Sequence, residues 1–251
     1  MGEMWYDYRV ILPRKVVFMQ QNRAALKAAF PHTIPILAGF GFLGMSFGVL
    51  MSTDGHPVWL SMLMSLAIYA GSMQFVTINL LTMAFHPIQA FFMAIMVNAR
   101  HLFYGISMLE KYRDMGPKKQ YLIFGLTDET FSINYVAKVP EGVDRGKFYF
   151  FTSLLNHLYW FCGTAVGAVL GSIIPFNTEG LDFVMTAMFV VILLEQLQKK
   201  ENRPTALLGL AVSVIMLLIF GAEDFLIPAM LGILLVLTAL RKPLEKAGAA
   251  S

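Results

Sequence analysis

The sequence has little charge for its length. Charged residues make up 14% of its 251 residues, whereas a typical soluble domain carries about 25%. Apolar residues take their place: 57% of the chain is hydrophobic, with 21 Phe and 17 Met, and the mean hydropathy is +0.63. A soluble core of this length does not need so much apolar surface. The composition therefore predicts an integral membrane protein.

Other absences exclude whole classes of function. The net charge is only +3 and no basic block is present, so nucleic acid is not expected as a partner. Cys162 is the sole cysteine, so no internal disulfide can form. The chain has no Walker A, HExxH or GxSxG motif and no metal-spaced Cys/His cluster. We predict that it is not an enzyme and that it uses no metal or cofactor.

Apolar runs set the predicted fold class. A membrane-spanning helix needs about 20 mostly apolar residues. Runs near this length fall at 34–52, 58–83, 87–109, 148–174, 182–198, 205–221 and 225–240. An eighth candidate, 120–137, is interrupted by polar residues. We predict an all-α membrane protein with seven or eight transmembrane helices, some of them broken or re-entrant.

The distribution of basic residues predicts the orientation in the membrane. Lys and Arg occur before residue 34, at 199–203 and after residue 240, and are missing from 53–57, 175–181 and 222–224. Because basic loops stay in the cytoplasm, both termini are expected there. The protein is thus predicted to be a multi-pass protein of the bacterial cytoplasmic membrane, in contact with the lipid bilayer.

One segment does not fit this simple alternation. The segment 110–119, "EKYRDMGPKK", carries four basic residues, yet counting the runs places it outside. Two solutions remain open. Either 120–137 crosses the membrane and makes eight spans, or 58–83 is a broken, re-entrant hairpin and 110–147 stays inside.

The expected organisation is a leader (1–33), a single transmembrane domain (34–240) and a tail (241–251). Within the domain, an internal repeat is predicted over about 34–137 and 148–240. "GFLGMSFGVL" and "WFCGTAVGAVL" align Gly44 and Gly48 with Gly163 and Gly167. Glycines at this spacing let helices approach closely. We interpret the glycine spacing as packing rather than as a site.

The stretch "NARHLFYG" places polar residues inside an apolar run. At 100° per residue, Asn98 and His101 share one helix face, and Arg100 and Tyr104 border it. An ionisable group at mid-membrane costs about 2.5–3.5 kcal/mol, so it normally faces a cavity or a partner. The alternatives are that Arg100 snorkels to an interface, or that it belongs to a purely structural buried pair.

The stretch "TDETF" supplies opposite charge. Asp128 and Glu129 are predicted counter-ions for Arg100 and His101. One carboxylate could stay ionised while its neighbour titrates, because adjacent carboxylates repel each other. That arrangement would suit proton coupling. The alternative is that Thr127 or Asp128 only caps a helix in a surface loop.

The stretch "YAGSMQF" predicts a broken helix. Gly71 and Ser72 are weak helix formers, and Gln74 should face the interior. Broken membrane helices expose backbone groups that bind small charged substrates, although a small-residue packing notch would give the same pattern. His157 and Trp160 could line a cavity, although a lone His–Trp pair is more often a packing feature. The predicted substrate-binding set is Ser72, Gln74, Asn98, Arg100, His101, Tyr104, Asp128 and Glu129.

The order of these motifs, with "PILAGFGFLGMSFG" first, resembles the AzlC family of bacterial branched-chain amino acid permeases. The resemblance covers about residues 31–240. It implies an exporter of branched-chain amino acids in the cytoplasmic membrane, and a small membrane partner of the AzlD family. Arg100 or the helix-end amides near Gly71 would then meet the substrate carboxylate, and Asp128 or Glu129 the ammonium. A proton gradient would drive export. The alternative function is an ion or small-solute channel that uses the same polar cluster.

Overall fold

The computed structural model describes residues 14–82, 87–174, 183–198 and 202–240. Within these ranges the chain forms ten α-helices and no strand, which confirms the predicted all-helical class. The helices are α1 (Arg14–Thr53), α2 (Val58–Ala67), α3 (Gly71–Thr82), α4 (Pro87–Met108), α5 (Lys118–Phe124), α6 (Asp128–Val136), α7 (Arg145–Ile173), α8 (Phe183–Gln198), α9 (Arg203–Asp224) and α10 (Leu226–Ala239).

Three segments of the described chain are long and apolar enough to cross a membrane. They are Phe18–Thr53 in α1, Arg145–Ile173 in α7 and Arg203–Gly221 in α9, and α2 is a shorter apolar helix. The count of seven or eight spans stays a prediction. Helix α1 continues through Pro31 and Pro35, so it runs across the expected boundary between the leader and the transmembrane domain.

The chain divides into two compact units. The first comprises Met1–Gln74 and Ala99–Phe176, and the second comprises Phe75–Asn98 and Asn177–Ser251. In the second unit, α10 packs on α9, where a side chain added at Gly232 would meet Val212 and Met216. The candidate site lies in the first unit.

Helices α1 and α7 pack closely through their glycines. A Cβ atom added at Gly44 would lie 2.8 Å from the Trp160 carbonyl oxygen, and one at Gly163 would lie 2.8 Å from the Gly41 carbonyl oxygen. Added Cβ atoms at Gly48 and Gly167 would overlap the facing backbone. The close approach predicted from the glycine spacing is confirmed, and the glycines aligned by the predicted repeat meet each other.

The same two helices run in the same direction. Along their length, His32 packs edge-on against Phe148 with ring centroids 5.7 Å apart. Further along both helices, the Ser52 hydroxyl donates to the Ala168 carbonyl at 2.7 Å. Because positions further along α1 contact positions further along α7, the two helices are parallel and begin at the same end of the unit.

Helices α5 and α6 form a hairpin against α7. Helix α5 runs along α7, from Lys118 near Asp144 (4.0 Å) to Gly125, which faces Ser153. Helix α6 then returns: its first turn meets Asn156, and Asn134 further along donates to the Tyr112 hydroxyl at 2.9 Å. Tyr112 packs on Tyr149 near the start of α7, with ring centroids 5.8 Å apart. Both ends of the hairpin thus lie at the same end of α7.

The C-terminal part of α4 flanks α6 and runs parallel to it. Arg100 pairs with Asp128 (3.0 Å), and the Tyr104 ring stacks on Phe131 with centroids 4.5 Å apart. Beyond the end of α4, the Lys111 ammonium donates to the Asn134 carbonyl at 3.1 Å. A cation at the last carbonyls of α6 complements the helix dipole. Residues 120–137 therefore fold back on themselves and do not form one straight helix.

Candidate functional site

The first break in the helices lies between α2 and α3. Tyr69 at this break has a φ of +45°, a left-handed conformation that is unusual for a bulky residue. Its ring stacks on the His157 ring with centroids 4.1 Å apart, and the side chain is buried. Tertiary packing therefore holds a backbone conformation that local preference disfavours. The broken helix predicted from "YAGSMQF" is confirmed.

The second break lies between α5 and α6, at residues 125–127. The Thr127 hydroxyl accepts a hydrogen bond from the Thr130 backbone N–H at 3.3 Å, so Thr127 caps α6. Asp128 and Glu129 occupy the first turn of α6, where the helix dipole favours negative charge. Helix capping, raised from the sequence as the alternative to ion pairing, is present here alongside the ion pair.

Arg100 joins the two breaks. Its Nη2 donates to the Ser72 hydroxyl in the first turn of α3 at 2.8 Å, and its Nη1 lies 3.0 Å from Asp128 Oδ2. The two charged side chains are half-buried, with relative exposures of 29% and 23%. The predicted pairing of Arg100 with Asp128 is confirmed. One guanidinium therefore holds the N-termini of two short helices.

A buried hydrogen-bond network supports the first break. The Trp160 indole N–H donates to Gln74 Oε1 at 2.9 Å, and Gln74 Nε2 donates to the Ser65 hydroxyl at 3.2 Å. Ser65 in turn donates to Thr164 at 2.8 Å. Because an indole can only donate, it determines which way the Gln74 amide points. Trp160 also covers Gly71, so no larger residue would fit there without displacing the indole.

Comparison with known protein families identifies the family to which the chain with this geometry belongs. A family model described as AzlC protein matches residues 35–174, which is more than half of the chain and includes both helix breaks. This chain belongs to the AzlC family. The resemblance inferred from the four sequence motifs is thereby confirmed.

Relatives of this AzlC-family chain are membrane proteins. The branched-chain amino acid transport protein AzlC of Bacillus subtilis is 59% identical over 224 residues, covering 89% of this chain and 88% of that protein. A membrane protein of Haemophilus influenzae is 46% identical over 85% of this chain and 88% of its own length. The inner membrane protein YgaZ of Escherichia coli is 28% identical over 68% of this chain and 72% of its own length. No solved structure was found to match.

The remaining predicted site residues of the AzlC-family chain lie in several places. His101 packs edge-on to Tyr104, with ring centroids 5.8 Å apart, and Glu129 follows Asp128 in α6. Asn98 belongs to the second unit and donates to the Ala94 carbonyl of its own helix at 2.9 Å. Gln74 is buried as predicted, and it hydrogen-bonds within the network around Trp160.

The opposite face of α4 is apolar and exposed, as expected for contact with lipid. Leu102, Phe103 and Ile106 are each more than half exposed. In a membrane protein such residues are covered by acyl chains or by neighbouring subunits. The helical geometry derived from the sequence therefore separates the polar and apolar faces of this helix correctly.

Several polar residues near the two breaks lie outside the predicted substrate-binding set. His157 Nε2 is 3.2 Å from the Ser65 carbonyl oxygen, and His157 Nδ1 is 3.0 Å from the Tyr121 hydroxyl. Packing was the favoured interpretation of His157 and Trp160, yet both make polar contacts. A pattern along α7 could have revealed them, because its buried polar side chains recur every three or four residues: Ser153, Asn156, His157, Trp160 and Thr164.

Proposed function

We propose that this AzlC-family chain is the large subunit of a secondary transporter that exports branched-chain amino acids across the bacterial cytoplasmic membrane. Its identity to the branched-chain amino acid transport protein of Bacillus subtilis supports the substrate class. The single observation that carries the mechanism is Arg100, held between the first turns of two short helices. Transporters commonly bind substrates at the ends of such discontinuous helices.

The chemistry of an amino acid fits this arrangement. Its carboxylate would bind the Arg100 guanidinium and the backbone N–H groups at the start of α3, which attract anions. Its ammonium would bind at the first turn of α6, where Asp128 and Glu129 lie. The substrate carboxylate would compete with Asp128 for the same guanidinium. Substrate binding would therefore loosen the ion pair that joins the two breaks.

This competition also supplies a means of proton coupling. Asp128 is paired with the Arg100 guanidinium, and the Glu129 carboxylate follows it in the first turn of α6. If the substrate carboxylate binds Arg100, a carboxylate of the protein loses its counter-ion. An ionised carboxylate without a counter-ion is unfavourable in a poorly hydrated site, so its protonation becomes favourable. Substrate binding would then favour binding of a proton at the same site, and the reverse. The proton gradient would drive net export through this linkage.

The membrane topology that we propose keeps residues 110–147 in the cytoplasm together with both termini. Because α1 and α7 are parallel, the chain crosses the membrane an even number of times from the start of α1 to the start of α7. Helix α1 makes one of these crossings, and the hairpin α5–α6 adds none. Helices α2–α3 and α4 together therefore add one more. The broken pair α2–α3 is then the re-entrant segment. This assignment keeps the basic segment 110–119 on the side that basic residues prefer.

A small membrane protein of the AzlD type is the proposed partner. The exposed apolar surfaces of the first unit, such as the face of α4 that carries Leu102 and Phe103, suit contact with lipid or with a second membrane subunit. Efflux should therefore depend on co-expression of both chains.

The test is efflux of labelled valine from preloaded cells that express this chain with and without the AzlD-type protein. Efflux above the empty-vector rate is expected only with both chains, and Arg100→Ala should reduce it to background because no other described cation contacts both Ser72 and Asp128. Arg113→Ala, in an exposed loop, is the matched control and should leave efflux unchanged. Full efflux by Arg100→Ala at normal protein levels would contradict the proposal.

A further inference from the structure

Three buried oxygen atoms around the second break lack hydrogen-bond partners among the described residues. They are Asp128 Oδ1, Ser153 Oγ and Asn156 Oδ1. Ser153 and Asn156 are fully buried. Buried polar groups are nearly always paired with protein, water or a ligand, so a concentration of unpaired oxygens indicates something that these side chains are built to hold.

Asp128 lies in the first turn of α6, and Ser153 and Asn156 lie on α7. Asn156 Nδ2 donates to the Thr130 hydroxyl at 3.1 Å, which places the Asn156 amide against that turn. The Tyr69 hydroxyl faces the hydroxyls of Thr127 and Thr130. Ser153 lies opposite Gly125 at the break itself. The side chains of Asn156, Ser153 and Tyr69 thus all lie against residues 125–130.

The charge at this place is unbalanced. Asp128 and Glu129 supply two carboxylates, whereas Arg100 supplies one guanidinium. With both carboxylates ionised, one negative charge remains in excess. A single positive charge in the site would neutralise it and would also satisfy the unpaired acceptors.

We propose that the α5–α6 break, with Asn156 and Ser153, forms a binding site for a small monovalent cation. The cation is either the substrate ammonium or an alkali ion, since amide, hydroxyl and carboxylate oxygens suit both. Among the described residues no group of three or more His, Cys, Asp or Glu side chains could hold a metal, so a transition metal does not fit. The ammonium form of this inference rests on the proposed function, and the alkali-ion form does not.

The experiment compares two asparagines of the purified full-length protein. Asn156 and Asn134 are both fully buried; each donates Nδ2 to a hydroxyl and leaves Oδ1 unpaired. Only Asn156 touches the first turn of α6. Asn156→Leu should therefore lose cation binding, and Asn134→Leu serves as the matched control for general destabilisation.

Binding is measured as the rise in thermal unfolding temperature when choline chloride is exchanged for sodium chloride, or when valine is added. A third arm uses 2-hydroxyisovalerate, which keeps the carboxylate and the branch of valine but lacks the ammonium. A sodium response without valine would identify an alkali ion. A response to valine but not to the hydroxy acid would identify the ammonium. In either case the apparent affinity should fall by at least about tenfold in Asn156→Leu.

Ser153→Ala gives an independent test if Asn156→Leu does not fold. It removes only the unpaired Oγ, so it should weaken the same response while the protein stays folded. No response of the wild-type protein to sodium or valine would overturn the inference, and so would an equal loss in Asn134→Leu. If wild-type cells nevertheless export valine, the proposed function survives without this site.

Discussion

The two helix breaks of the first unit differ in how completely their buried side-chain amides are paired. At the α2–α3 break, Gln74 is hydrogen-bonded at both ends of its amide, to Trp160 and to Ser65. At the α5–α6 break, Asn156 uses only one end of its amide, and the oxygen is left without a partner among the described residues. A satisfied network rigidifies its surroundings. We therefore expect the first break to act as scaffold and the second to offer the Asn156 oxygen to a ligand.

The largest effect is expected from Asp128→Asn, which acts on the second break. The variant keeps the shape of the side chain but removes the charge that faces Arg100. Loss of one partner of a buried charge pair at a binding site costs about 2–5 kcal/mol, so efflux of valine per folded molecule should fall by about 30-fold or more. The measurement is initial efflux rate, normalised to the amount of protein in the membrane.

Asp114→Asn, at an exposed position outside the pair, is the control and should transport normally. If Asp128→Asn transported at the wild-type rate, the assignment of ligand binding to the second break would be wrong.

The next effect concerns stability at the first break. Gln74→Leu leaves the Trp160 N–H and the Ser65 hydroxyl without their partner, and a buried unpaired group costs about 1–3 kcal/mol. The unfolding temperature of the purified protein should drop clearly, while efflux per folded molecule should change little. Gln120→Leu, at an exposed position, should leave the unfolding temperature near that of the wild type. If Gln74→Leu were as stable as the wild type, the α2–α3 break could not be distinguished as scaffold from the α5–α6 break as binding site.

A smaller effect is expected from Ser72→Ala. The variant removes one acceptor of Arg100 at the first break, but the ion pair with Asp128 at the second break remains. A single hydrogen bond to a charged group contributes about 1.5–3 kcal/mol, and water can replace part of it. We therefore expect valine efflux to fall by about fivefold. Ser107→Ala, where the hydroxyl bonds only within its own helix, is the control; a Ser72→Ala effect as large as that of Asp128→Asn would contradict this ranking.

The last prediction concerns membrane topology and is tested by labelling, without loss of transport activity. In a Cys162→Ser background, single cysteines at Asp114 and Glu141 lie before and after the α5–α6 hairpin, both at exposed positions. A membrane-impermeant maleimide should label neither in intact cells and both in inverted vesicles. Asp54→Cys, between α1 and α2, should show the opposite pattern. Labelling of Asp114 and Glu141 from opposite faces would mean that residues 120–137 cross the membrane.

Much of this site could be predicted from local pattern. The position of Gly71-Ser72 predicted a break, helical geometry separated the polar and apolar faces of α4, and opposite charge predicted the pairing of Arg100 with Asp128. The partners of Gln74 could not be predicted, because Trp160 lies 86 positions away in the chain. Nor could the conformation of Tyr69, which depends on stacking against His157. Asn156 was missed because it does not stand in a polar motif of its own, and the polar partners of His157, Ser65 and Tyr121, lie far away in the chain.

The sequence by itself determined the class of this protein and its family. Both depend on sums over many residues: the transfer of apolar side chains into lipid adds up along the chain, and the family match extends over residues 35–174. Tertiary structure alone decided that residues 120–137 fold back and that Thr130 and Asn156 meet. Hydrogen bonds between distant segments depend on the direction in which each helix returns, and adjacent residues along the chain carry little information about that direction.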